Sequence, residues 1–196
     1  LVIAILGFFL YLPIELFGSL FGSSYMMKLG FNHQTATTII SFVWLGMGIS
    51  SPIIGAFSDY IKNRKYPFYL ASLIGLVCII LIILGPNYGS MYYMALYFLL
   101  GSASGAQALT FTVAHDLVPS KNIGISMAFV NMSIIAGVMV IDMISGFVLN
   151  QFHEDITHGG SFSLISYQTA LSITFVFYLL SLLMNIFLLK ESYPLQ

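Results

Sequence analysis

Charge is what this sequence has least of. Only 7% of its 196 residues are charged, against about 25% in soluble domains, while 59% are hydrophobic. A surface so poor in charge cannot be turned to water, so the solvent of this chain is lipid. Six basic residues and a net charge of −1 exclude the basic stripe that nucleic-acid binding requires. Cysteine is scarce as well. Cys78, in the apolar run "LVCIILIILG", stands alone, which excludes an intrachain disulfide and argues against a cysteine-based redox or metal site. It reads as a small packed hydrophobe. No H-E-x-x-H, P-loop, GxSxG or GxGxxG pattern occurs, so neither an enzyme nor a resident cofactor is expected. Leu1 lies already inside an apolar stretch, and the sequence is expected to belong to something longer.

What is abundant is long apolar runs. A membrane-crossing helix needs about 20 predominantly apolar residues. Leu1–Tyr25, Thr35–Phe57, Tyr66–Leu84, Met91–Val113, Ile123–Leu149 and Leu164–Leu189 each qualify. The breaks between them, such as "GPNYGS" and "HDLVPSKN", are rich in Gly, Pro, Asn or charge. The expected fold is therefore an all-α membrane protein of six spans, with no room for a separate soluble domain. Alternation along six spans puts Lys62, Arg64, Lys65, Lys121 and Lys190 at one end and Lys28 at the other. The positive-inside rule assigns the richer end, with the C-terminus, to the cytoplasm. Gly18/Gly22 and Gly101/Gly105 are GxxxG pairs that let helix backbones approach, and Gly46, Gly48, Ser50, Ser51 and Gly55 keep the second span thin.

Ionisable groups inside a span cost at least ~2.5–3.5 kcal/mol, so each is a candidate for function. Glu15 lies in the first span just after Pro13, which is expected to kink the helix, and shares a face with Tyr11, Ser19 and Gly22. Its alternative role is a protonated group that hydrogen-bonds a neighbouring helix. Asp142 lies in the outer half of the fifth span, with Asn131 three turns earlier on the same face. Gln107 in the fourth span can contact substrate or an adjacent helix. Tyr92, Tyr93 and Tyr97 are expected in an interfacial belt. His153 and His158 with Glu154 and Asp155 offer metal ligands, though a solvated loop is the reading favoured by the glycines around them. His115 and Asp116 fall at a membrane edge, where a helix-end role competes with gating.

One stretch interrupts the oil. "GMGISSPIIGAFSDYIKNRK" resembles the loop between the second and third helices of each half of major facilitator superfamily transporters: Gly55, Ser58, Asp59, then the basic pair Arg64 and Lys65. Tyr60 stands where a basic residue is usual and Lys62 where the family often has Gly. "HDLVPSKNIGISMAFVN" and the ending "SYQTALSITFVFYLLSLLMNIFLLKES" resemble later parts of the C-terminal half. The resemblance implies half a transporter, built as two inverted three-helix repeats, 1–84 and 91–189, with a tail from 190 to 196. It implies alternating access, in the inner membrane of a bacterium, with a missing N-terminal half or a second copy as partner. A small polar metabolite, an amino acid or an organic anion, would move with protons. Glu15, Tyr11, Gln107, Asp142 and Asn131 are the candidates for the cavity. Gly55, Ser58, Asp59, Arg64 and Lys65 are the candidates for a conformational latch, with Asp59 facing the start of the fifth span. The bases alternatively do no more than set topology. A non-transporting sensor or assembly module that keeps the fold is the competing class.

Overall fold

A computed structural model describes residues 1–151 and 162–193, so His153, Glu154, Asp155 and His158 lie outside the described residues. Every regular element among the described residues is helical. α1 (Val2–Glu15) passes into a π-helical segment, Leu16–Leu20, and then α2 (Gly22–Lys28). α3 (His33–Tyr60), α4 (Lys65–Leu84) and α5 (Ser90–Ser104) follow. A 3-10 turn, Gly105–Ala108, joins α5 to α6 (Leu109–Asp116), and α7 (Ile123–Gln151) and α8 (Leu164–Phe187) complete the chain. Among the described residues, six stretches are long and apolar enough to cross a membrane.

The ends of these helices follow from local chemistry. Asn32 accepts the Thr35 N–H at 2.8 Å and Ser163 accepts that of Ser166 at 3.2 Å, capping α3 and α8. Gly30 and Gly89, at φ 97° and 92°, make the turns that precede α3 and α5. Pro13 does not break α1, which continues to Glu15. The disturbance falls one turn later. The Leu16 N–H is shared between the carbonyls of Leu12 and Pro13, and Phe21 reaches back five residues to Leu16 at 2.9 Å.

Small residues set the packing. α3 lies along α5, with Gly46 against the Phe98 carbonyl and Gly101 against the Val43 backbone, leaving no space for a side chain at either. α4 packs on α5 and α8, where Ser72 and Ser181 bond at 2.8 Å and the Tyr178 ring fills the place of a Gly75 side chain. α1 packs on α7 and α8. Tyr93 and Tyr97 belong to the core, 1% and 0% exposed, and not to a belt. The close α3–α5 approach is accompanied by Tyr97 turned edge-on to Phe17 at 5.9 Å and Tyr93 to Phe31 at 5.6 Å. The ring contacts and buried apolar area of these tyrosines favour the core, although the buried Tyr97 hydroxyl has no hydrogen-bond partner among the described residues.

Candidate functional site

Two groups of polar residues stand out. The first lies within the spans. Glu15 ends α1 where the π-helical segment begins, and Asp142 lies on α7, which packs against α1. Tyr11, Glu15 and Asp142 are within electrostatic reach of one another. All three are half-buried, and one oxygen of Asp142 is buried without a hydrogen-bond partner. The fold thus gathers three of the cavity candidates from two spans. Asn131 is exposed on α7. Gln107 is buried in the 3-10 turn of the fourth span, where its carbonyl accepts from Thr110 at 2.6 Å. No described hydrogen bond joins Asn131 or Gln107 to the two carboxylates. All six Lys and Arg lie at span ends or in connecting segments: Lys28, Lys62, Arg64, Lys65, Lys121 and Lys190. Within the described spans the carboxylates have no cation beside them.

The second group surrounds Arg64, at the start of α4. Its side chain is 7% exposed, unusual for an arginine unless paired. Nη1 donates to Asp59 at 2.6 Å and to Ser58 at 3.2 Å, and Nε donates to Asp116 at 3.1 Å. Asp116 comes from the end of α6 and is 10% exposed, whereas Asp59 is 61% exposed. Ser58 in turn donates to the Asn63 carbonyl at 3.0 Å, closing the loop on itself. Asp59 meets Arg64 here and makes no described hydrogen bond with the start of α7. Lys65 forms no ion pair among the described residues; its ammonium donates to the Ile186 carbonyl at 3.1 Å. Gly55 faces open space on α3.

Two residues of this cluster, Glu191 and Tyr193, carry no role in the sequence, and a third, Asp116, is left there between two roles. Asp116 stands there beside His115 at a membrane edge, with a helix-end role and a gating role both open. Glu191 appears only as part of a Lys-Glu ending. Its carboxylate accepts the backbone N–H groups of Arg64 at 2.9 Å and Lys65 at 3.3 Å, together with those of Ser192 and Tyr193. Partial burial pushes the Glu191 carboxyl up, but the four N–H groups outweigh it and hold it below its ordinary value. The Tyr193 ring lies 4.8 Å from the Arg64 guanidinium, a contact with no signal in the sequence.

An arginine held between carboxylates from two spans ties together helices that are distant in sequence, and a carboxylate pair in lipid is a place to hold positive charge. Such a chain falls in the class of polytopic helical membrane proteins with ionisable groups inside the bundle. The profile of the Major Facilitator Superfamily matches residues 3–196, and the chain belongs to that superfamily, whose members are transporters. The inward-open xylose transporter XylE from E. coli is similar in fold, with 15% identity and a TM-score of 0.67 over 97% of this chain and 47% of that one. The proton:xylose symporter XylE bound to 6-bromo-6-deoxy-D-glucose gives 16% and 0.68 over 97% and 44%. A partially occluded inward-open form of XylE gives 17% and 0.65 over 97% and 49%. At such identities the likeness is one of fold. This chain spans about half the length of each of these proteins. No curated protein matches it.

Proposed function

We propose that this chain is one half of a secondary transporter that moves a small polar metabolite by alternating access, coupled to protons. Residues 1–84 and 91–189 act as two inverted repeats, and a second six-helix unit, the other half or another copy, completes the cavity. The Arg64 end faces the cytoplasm of a bacterium, as the distribution of basic residues supports. One observation carries the coupling: Glu15 and Asp142 share a region of the bundle whose spans supply no cation. Two carboxylates drawn together within the spans, with no cation beside them, make a place suited to holding positive charge. Glu15 is the preferred proton carrier. The same balance favours an amino acid or other amine-bearing substrate over an organic anion, which would need its counter-charge from the other half. The competing sensor reading predicts no transport and tolerance of substitutions at Glu15 and Asp59 alike.

The test uses the assembled protein in proteoliposomes with an imposed proton gradient and a panel of labelled amino acids. Glu15→Gln is expected to abolish uphill accumulation while sparing exchange of internal for external substrate. Uphill uptake unchanged by the substitution would remove Glu15 from this role.

A further inference from the structure

Beyond Phe187 the chain turns back over the bundle. Leu189 is buried, and the residues that follow close over the start of α4. Arg64 opens α4 with no side-chain cap of its own; Asn63 Oδ1 accepts the Tyr66 N–H at 2.6 Å, which leaves the N–H groups of Arg64 and Lys65 in need of another acceptor. Glu191 supplies the acceptor from 127 positions away, at 2.9 Å from the Arg64 nitrogen. Asn185 donates to the Lys65 carbonyl at 3.1 Å and holds the end of α8 to the same turn. Tyr193 then lies over the guanidinium, whose edges are taken by Asp59 and Asp116. Both the backbone and the side chain of Arg64 are therefore engaged by the tail.

We propose that residues 188–193 form a strap over the Arg64 cluster, with Glu191 gripping the start of α4 and Tyr193 covering the guanidinium, so that tail docking and the Arg64–Asp59–Asp116 contacts strengthen each other. The proposal rests on the reading of Arg64 as a conformational latch and adds a regulator to it. Docking excludes water from the guanidinium and fixes the turn that aims it, which favours the state in which α3, α4 and α6 are tied. By reciprocity, loosening the ion pairs loosens the tail. Glu191 and Tyr193 are positioning residues for the latch.

The chain offers a clean probe. Cys78 is its only cysteine and is buried. The Ser192 hydroxyl is shielded and has no hydrogen-bond partner among the described residues, so Ser192→Cys places a thiol beneath the docked strap. Labelling of this thiol by a maleimide, in membranes holding the assembled protein, is expected to be slow. Glu191→Gln or Tyr193→Ala should each accelerate it at least about tenfold, the scale of one charge-assisted hydrogen bond, while Tyr193→Phe, which keeps the ring, should not. Asp116→Asn, at a residue that makes no described hydrogen bond with the tail, should accelerate it as well. That response separates a coupled strap from a tail that is merely packed. Fast labelling of Ser192→Cys alone, or a rate unmoved by Asp116→Asn, overturns the proposal. Cys78 remaining unreactive in every variant certifies the fold, and the readout needs no substrate, so a failed transport assay does not decide it.

Discussion

Lys62 sits at φ 51°, in the left-handed region that suits glycine, in the loop between α3 and α4. A side chain there costs about 1–2 kcal/mol of backbone strain, partly offset because glycine loses more entropy on folding. Lys62→Gly is therefore expected to leave stability unchanged or raise it by up to about 1 kcal/mol, read as the melting temperature in detergent. A clear loss would assign the ammonium an interaction of its own. The sequence singles out Lys62 as a departure from the family pattern, and the backbone gives the physical meaning of that departure. At this scale the sequence was most informative about isolated charge. Glu15, Asp142 and Arg64 are conspicuous because the solvent is lipid, and each lies among polar or charged neighbours. Tyr193 was not legible, since one tyrosine among twelve carries no mark of the partner it meets in three dimensions.

The elements themselves were legible because lipid demands length and apolarity of every span. Expected and observed limits differ by a few residues where a polar cap such as Asn32 or a terminal charge such as Asp116 extends the helix beyond the apolar run. The π-helical segment after Glu15 was not legible, because a backbone re-registering depends on which neighbours accept the displaced groups. The tail was invisible for a similar reason, its partner being 127 residues away. Its docking has a definite pH dependence. Glu191 is held below its ordinary value in the folded state, so its contribution is complete above that value and is lost as pH falls through the lowered one. Asp59, Asp116, His115 and Arg64 face the same cluster, so the measurement must be a difference. The melting temperature of the native chain minus that of Glu191→Gln should be constant from about pH 8 to 5 and shrink below about pH 4. A difference that grows in acid would contradict the N–H cradle as its cause.

At the scale of the whole molecule, the two helices least buried in the bundle are α3 and α7. Only 22% and 28% of their spans are buried, against 61% for the spans holding α1 and α5. Both expose large apolar residues, among them Trp44, Ile49, Met139 and Phe147, and both place glycines where nothing lies within 4 Å: Gly48, Gly55, Gly124 and Gly146. On a helix that faces only lipid, glycine lowers stability by about 1 kcal/mol relative to alanine and returns nothing. On a helix that receives another helix, the same glycine permits close approach of the backbones. The two environments therefore predict opposite signs for Gly48→Leu. Against lipid, the substitution should raise the melting temperature through better helix propensity and leave association untouched. Against a second six-helix unit, it should weaken association by about five- to 150-fold, since a core-sized side chain forced into a packed contact costs typically 1–3 kcal/mol. Co-purification of tagged six-helix units reads association, and the melt of the chain alone reads propensity. The half-transporter reading requires weaker association with an unimpaired melt. A rise in melting temperature with full association would mean that α3 meets lipid at Gly48, and the second unit would then have to dock elsewhere.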